Sequence, residues 1–95
     1  MTQQDDYAIQ HRPEQGRFTA EVDGHEAELV YRMRNGHMVI EHTGVPEAIG
    51  GRGIAAALVK AALEHARADG LKVTTPCSYA ALYIRRHPEY ESLLM

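Results

Sequence analysis

Glycines are concentrated at one point of the chain, in the segment GVPEAIGGRGIAAALVKAAL, where Gly50, Gly51 and Gly53 precede an alanine-rich apolar stretch. Glycine lets a backbone turn with positive φ and lets a ligand approach it closely. The first N–H groups of a helix have no partners within that helix and carry the positive end of its dipole, which favours an anion. We therefore expect this turn, continued through Ile54 and Ala55, to bind a phosphate. The alternative is a flexible connection between a strand and a helix.

Two common phosphate motifs do not fit this turn. A P-loop requires Gly-Lys followed by Ser or Thr, whereas Gly53 is followed by Ile54 and Ala55. The dinucleotide fingerprint Gly-x-Gly-x-x-Gly fits only loosely, because Ala56 takes its last position and three predicted antiparallel strands precede it.

The one cysteine, Cys77, follows the apolar segment LKVTT and Pro76 and precedes a predicted helix. Sheets of α/β proteins place ligands at the carboxyl ends of their strands, and a helix N-terminus lowers the pKa of a thiol. We expect Cys77 to accept an acyl group as a nucleophile or to donate a proton. The alternative is a small buried apolar residue. A single cysteine excludes an internal disulfide and suits a reducing compartment, so we expect a cytoplasmic location.

The first half of the chain predicts an antiparallel meander. The segment RFTAEV alternates apolar and polar residues, as a half-buried strand does. The dipeptides Asp-Gly at 23–24 and Asn-Gly at 35–36 predict hairpin turns, with AELVYRM and HMVIEHTGV as the second and third strands. We expect residues 1–15 to form a partly irregular leader with a short strand at residues 7–10.

The second half changes to a helical period. One stripe predicts a core-facing helix, and Gly70 is expected as its left-handed cap; the stripe consists of Ile54, Ala55, Leu58, Val59, Ala62, Leu63 and Ala66. LKVTT predicts a short buried strand, and SYAALYIRR predicts a second helix that ends before Pro88. The order β-β-β-α-β-α contains a right-handed β-α-β crossover with a parallel pair. The predicted fold class is α+β.

Length and charge limit the function classes. The 95 residues fit one domain, which we expect to span residues 1–95, and 10 Lys and Arg against 13 Asp and Glu give a net charge of −3. This balance argues against a general nucleic-acid binder. No apolar run approaches the length of a membrane span. The spacing of the histidines at positions 11, 25, 37 and 65 does not resemble that of metal ligands, so we predict no metal.

With these elements placed, the chain resembles the GNAT superfamily of acetyl-CoA-dependent N-acetyltransferases. Their phosphate motif, Arg/Gln-x-x-Gly-x-Gly/Ala, is matched by GGRGIA at residues 50–55, except that Gly50 stands where Arg or Gln is expected. The chain is more similar to a compact, stand-alone branch of that superfamily. The hallmarks HT-x-VP, GRGIA, a lone Cys after the fifth strand and YIRRHPEY are matched at residues 42–46, 51–55, 77 and 83–90. The resemblance covers residues 16–94.

The resemblance implies a shortened GNAT fold: a meander of three to four antiparallel strands, a β-α-β crossover and a C-terminal helix. It implies acetyl-CoA as cosubstrate, with its pantetheine arm between the third predicted strand and the strand at 71–75. The N–H near Val45 would polarise the thioester carbonyl. Tyr83 matches the pattern A-x-x-LY, whose tyrosine serves as the acid in many members; the alternative is a half-buried helix tyrosine.

The base that deprotonates the amine is the least defined group. The resemblance places a glutamate directly after HT, where this chain has Gly44. Strand alternation predicts that the neighbouring Glu41 and His42 point to opposite faces. An imidazole suits proton transfer at neutral pH, which makes His42 a candidate catalytic residue. The alternative is a strand histidine bonded to the backbone.

Two arginines are candidate phosphate contacts. Arg52 lies inside the glycine turn, and Arg86 belongs to a basic cluster near the end of the second helix. The alternative for this cluster, residues 85–87, is a solvated helix end, where cations are favoured.

We expect a small enzyme that transfers the acetyl group of acetyl-CoA to a primary amine of a small molecule or a protein. Direct transfer and an acetyl-Cys77 intermediate both remain open, as does the oligomeric state. One alternative is a non-catalytic acyl-CoA binder or sensor. Another is a nucleic-acid module, against which the acidic balance and the strand between the two helices count.

Overall fold

The computed structural model describes residues 7–95, and these residues form one mixed sheet with two helices. The strands are β1 (Ile9–Arg12), β2 (Arg17–Val22), β3 (His25–Arg34), β4 (His37–Gly44) and β5 (Lys72–Thr74). The helices are α1 (Ile54–Ala68) and α2 (Ser78–Arg86). Short 3-10 turns cover Pro13–Gln15, Glu47–Ile49 and Pro88–Leu93.

The strands lie in the order β1-β2-β3-β4-β5; the first four are antiparallel, and β5 runs parallel to β4. Both predicted hairpin turns are present. Asp23 and Asn35 have φ of 51° and 52°, and the glycines that follow them have φ of 78° and 81°. Two consecutive residues with positive φ make the turn whose twist matches that of the flanking strands.

Helix α1 connects the parallel strands and buries one stripe against the sheet. The stripe is the predicted one except for Ala55, which is only half-buried. Gly70 has φ of +69°, and the N–H of Leu71 donates to the carbonyl of Ala66 at 2.8 Å, so the predicted left-handed helix end is confirmed. The sheet face against α1 carries buried apolar residues, among them Phe18, Leu29 and Tyr31.

The opposite sheet face is polar; we call it the charged face and define it by Arg17, Glu28, Arg32 and Glu41. Ion pairs cross it from Arg17 to Glu26 and Glu28 and from Arg32 to Glu41. Alternation along β3 explains this face, because residues 27, 29 and 31 are buried while Glu28 and Arg32 project to the other side.

The sequence prediction of the fold class is confirmed, with small differences at the ends of elements. The first strand begins at Ile9 instead of Tyr7 and continues to Arg12, and β5 is one residue shorter at each end than predicted. Residues 1–6 of the expected leader lie outside the described residues. The 3-10 turn Pro88–Leu93 was not predicted; after it, Leu94 forms an isolated parallel bridge with Val73.

Candidate active site

The glycine turn leaves a group of backbone donors exposed at the start of α1. Gly51 and Gly53 both have φ of +76°, and no side chain caps the helix at Gly53. Among residues 7–95, the N–H groups of residues 51–56 have no backbone acceptor within hydrogen-bonding distance. A Cβ built on either glycine would meet no atom within 4 Å. The turn is therefore an open concavity of N–H donors.

Gly50, which was expected to belong to this group, has a different geometry. Its N–H donates to the carbonyl of Glu47 at 3.1 Å, and its φ of −69° and ψ of 161° suit any residue. A Cβ at this position would lie 3.4 Å from the same carbonyl oxygen. The position therefore does not need glycine for its conformation and does not offer its N–H to a ligand.

Arg52 ties the turn to the start of the sheet. Its Nη1 lies 2.8 Å from Oδ2 of Asp23 in the turn between β2 and β3. Its carbonyl accepts a hydrogen bond from the hydroxyl of Tyr7 at 2.5 Å. A phosphate that bound the Arg52 side chain would have to compete with Asp23, so its predicted phosphate contact remains a prediction.

Strands β4 and β5 separate beyond a short parallel ladder. They pair only over residues 37–39 and 72–74, and Thr75 Oγ1 then donates to the carbonyl of Ile40 at 3.0 Å. Beyond this point, Thr43 Oγ1 on β4 and Cys77 Sγ lie 3.6 Å apart. Among residues 7–95, no backbone acceptor lies within reach of the Val45 N–H. The opening between the strands thus presents a thiol, a hydroxyl and a free amide.

Cys77 has the local position that the sequence predicted. It precedes α2 directly, its carbonyl accepts the first bond of that helix from the Ala81 N–H at 3.0 Å, and its own N–H donates to Thr75 Oγ1 at 3.1 Å. The side chain is half-buried. The thiol is therefore fixed beside β4 and partly open to solvent.

Tyr83 lies against a cleft of about 590 Å³ that begins at Gly53 and follows α1. The other lining residues are Tyr7, Ile9, Ala56, Ala57, Lys60, Ala61 and Glu64. Burial raises the pKa of the Tyr83 hydroxyl, and the carboxylate of Glu89 raises it further, so the hydroxyl keeps its proton at neutral pH. Tyr83 lies six positions after Cys77, an axial distance of about 9 Å along α2. Tyr83 and Cys77 therefore belong to different parts of the site.

The prediction that Glu41 and His42 point to opposite faces is wrong. Val30 pairs with His42 and Tyr31 pairs with Ile40, so Glu41 is an extra residue of β4 in a β-bulge. Glu41 pairs with Arg32 on the charged face, and His42 shares that face with its cross-strand partner Val30. Both side chains are exposed.

The three residues of the basic cluster at the end of α2, residues 85–87, have different contacts. His87 Nδ1 lies 2.8 Å from the Tyr83 carbonyl oxygen, and its ring stacks on Tyr83 at 3.9 Å between centroids. Arg85 lines a second cleft of about 400 Å³ beside β5. Arg86 is exposed one turn after Tyr83, and its phosphate role remains a prediction.

Sequence reasoning missed Tyr7 and Lys60 as parts of the cleft. Lys60 shares a surface of α1 with Gly53 and Ala56, and nothing in their spacing indicates that a tyrosine before β1 closes one side of that surface. Within the described part of the chain, no His, Cys, Asp and Glu side chains gather in groups of three or more that suit a metal ion. No helix formed by residues 7–95 has both the length and the apolar character needed to span a membrane.

The five-stranded mixed sheet, with a parallel pair that opens beside an uncapped glycine turn, places this chain in the class of GNAT-fold proteins. The family model described as GCN5-related N-acetyltransferase matches residues 17–93, and the chain belongs to this family. The resemblance inferred from the sequence motifs is thereby confirmed.

Relatives and a solved structure agree with this assignment. The chain is 36% identical over 83 residues to the protein NATD1 of Gallus gallus, which covers 84% of this chain and 76% of the relative. The identity to protein NATD1 of Homo sapiens is also 36%, with 84% and 74% covered. The NMR structure of a GCN5-like protein from Staphylococcus aureus matches with a TM-score of 0.73 at 31% identity, over 94% of this chain and 88% of the other.

Proposed function

We propose that this chain binds acetyl-CoA and transfers the acetyl group to a primary amine. The observation that carries the proposal is the row of N–H groups at residues 51–56, for which the described part of the chain offers no backbone acceptor at the uncapped start of α1. A diphosphate is the group that such a helix start binds best. Family membership supports the choice of acetyl-CoA as the ligand.

The opening between β4 and β5 supports a path for the pantetheine arm. In this arrangement the thioester reaches the end of β4, where the Val45 N–H would donate to the oxygen that becomes negative during attack. Cys77 Sγ and Thr43 Oγ1 flank the same place. Attack by the amine forms a C–N bond and breaks the C–S bond, and the departing sulfur takes up a proton.

Cys77 is the group best placed to act at the sulfur. It either gives the proton to the departing thiolate or accepts the acetyl group as a thioester before the amine attacks. Tyr83, a predicted proton donor, holds its proton but lines the cleft along α1. We propose that Tyr83 contacts the cofactor there, away from its sulfur.

Calorimetric titration with CoA and acetyl-CoA tests the binding step. We expect saturable heat with both ligands, and no heat at millimolar ligand with a folded protein would overturn the proposal. A second candidate, a non-catalytic acyl-CoA binder, is favoured by the missing carboxylate at Gly44. It predicts binding that survives Cys77→Ala and Tyr83→Phe, with no acetylated product from any amine.

Mass spectrometry after incubation with acetyl-CoA alone separates the two routes of transfer. An acetyl adduct that is absent from Cys77→Ala would support the covalent intermediate. If the wild-type protein acetylates an amine without any adduct, the result would support direct transfer.

A further inference from the structure

The imidazole of His42 occupies the space that a side chain at residue 44 would fill. A Cβ built on Gly44 would lie 2.8 Å from His42 Nε2, 3.5 Å from Cε1 and 3.7 Å from Cδ2. Gly44 has no positive φ, so its backbone would accept another residue. Glycine at this position is therefore not needed for conformation, and a Cβ here would displace the end of the His42 ring from the space that it occupies.

This ring lies at the end of β4 on the charged face. Gly44 pairs with Glu28, and His42 pairs with Val30, so both residues share that face with their cross-strand partners. Thr43 pairs with the buried Leu29 and therefore points to the other face, where it meets Cys77. The imidazole thus lies on the opposite face of the strand from the thiol, beside Gly44, which directly precedes Val45 and its free amide.

The other proton acceptors near this position are engaged. Glu41 pairs with Arg32, and Glu28 accepts a hydrogen bond from Arg17 Nε at 2.9 Å. Among residues 7–95, no hydrogen-bonding partner lies within reach of the His42 ring, and the side chain is exposed. Of the groups on this part of the charged face, only the imidazole therefore has a nitrogen that is free for a substrate.

We propose that His42 is the general base for the acceptor amine, that Gly44 gives its ring the necessary space, and that the amine arrives from the charged face. This rests on the proposed acetyl transfer. A protonated amine gives one proton to Nε2, and its nitrogen then attacks the acetyl carbonyl, held as a thioester. The C–N bond forms, the C–S electron pair leaves with sulfur, and the second N–H proton neutralises the thiolate.

The first test compares Gly44→Ala, His42→Gln and the wild-type protein with acetyl-CoA and primary amines such as butylamine, spermidine and a lysine peptide. General-base catalysis typically contributes about a hundredfold or more, so we expect His42→Gln to lower kcat by about that factor. Gly44→Ala leaves the imidazole intact but displaces it, and we expect it to lower kcat by about tenfold or more. Affinity for CoA should stay within about twofold in both variants, because the N–H donors of residues 51–56 are unchanged.

The pH profile and a rescue variant distinguish a base from a structural role. The wild-type rate should show an acid limb where the base becomes protonated, and this limb should be absent from His42→Gln. Adding Gly44→Glu to His42→Gln should restore activity with the limb moved to lower pH, because a carboxylate then lies in the same space. His37→Gln at the other end of β4 is the matched control and should keep the wild-type profile.

The outcomes separate this inference from the proposed function. If the wild-type protein transfers acetyl groups and both Gly44→Ala and His42→Gln keep its rate and pH profile, the base assignment is wrong and the enzyme remains. If none of the amines is acetylated, the same variants are compared by the rate at which they hydrolyse acetyl-CoA to CoA, with water as the nucleophile. If the protein binds acetyl-CoA but catalyses neither transfer nor hydrolysis, the base assignment and the proposed acetyl transfer are both wrong.

Discussion

At the scale of single residues, the glycines of the turn and Gly44 at the end of β4 have separate roles. Gly51 and Gly53 hold positive φ beneath open space, and Gly44 gives space to an imidazole. The sequence predicted the first two tasks, since glycine before a helix is the common solution for a left-handed turn. It did not predict the third, because the contact between Gly44 and His42 depends on the rotamer that the His42 side chain adopts at the end of β4.

Gly53→Ala tests whether the turn binds a phosphate. A residue other than glycine at this positive φ lowers the free energy of unfolding by about 1 kcal/mol, so we expect a modest fall in the midpoint of thermal unfolding. The new methyl group meets no atom of residues 7–95 but fills space above the donors. We expect affinity for CoA to fall about tenfold, equivalent to the loss of one charge-assisted hydrogen bond. Calorimetry measures the affinity, and calorimetric or optical melting measures the stability.

Gly36→Ala is the matched control for this substitution. Gly36 has φ of +81° in the turn between β3 and β4, and a Cβ there also meets nothing within 4 Å. It carries the same backbone strain away from the glycine turn. Equal loss of CoA affinity in the two variants would show that strain, and not access to the donors, controls binding.

At the scale of elements, the spacing of apolar and turn residues along the sequence predicts most of the helices and turns. The apolar stripe of α1, the boundaries of α2 and both hairpin turns follow from local spacing. The bulge at Glu41 does not, because an extra residue in β4 leaves the pattern of apolar residues unchanged and moves only the polar end of the strand. The salt bridge between Arg52 and Asp23 depends on tertiary packing, and local spacing carries no signal for it.

Lys60 tests the role of the cleft along α1. It stands about 10 Å along the helix axis from Gly53, on the same cleft-lining stripe. If the diphosphate binds at the turn, the adenosine end of CoA lies in this cleft with its 3′-phosphate near the ammonium group. We expect Lys60→Gln to weaken CoA binding by about fivefold, the value of an exposed ion pair, and to leave dephospho-CoA unaffected.

Competition binding with the two nucleotides measures this difference. Arg34→Gln, at the tip of β3, removes a cation from another surface and controls for the change in net charge. An equal effect of Lys60→Gln on CoA and dephospho-CoA would place the 3′-phosphate elsewhere.

At the scale of the whole molecule, one aromatic cluster joins the first strands to the end of α1. The His11 ring stacks on Phe18 at 4.1 Å between centroids, and its Nε2 lies 2.5 Å from the Tyr31 hydroxyl. The ring of His65 meets it edge-on at 4.4 Å, and His65 Nε2 lies 3.3 Å from Asp69. The cluster packs β1 against the end of α1, and Tyr7, which lines the cleft, lies just before β1.

The cluster makes the stability of the fold sensitive to acid. Burial lowers the pKa of His11, and the charge of His65 lowers it further, although Asp69 and Glu14 act in the opposite direction. As the pH falls below about 6.5, the unfolded chain takes up a proton at this histidine before the folded protein does, so stability decreases until the folded pKa is passed. We expect the midpoint of thermal unfolding to be lower at pH 5.5 than at pH 7.5. His11→Gln should reduce this difference, and the exposed His25→Gln should keep it. An unchanged pH dependence in His11→Gln would show that the acid sensitivity comes from other groups.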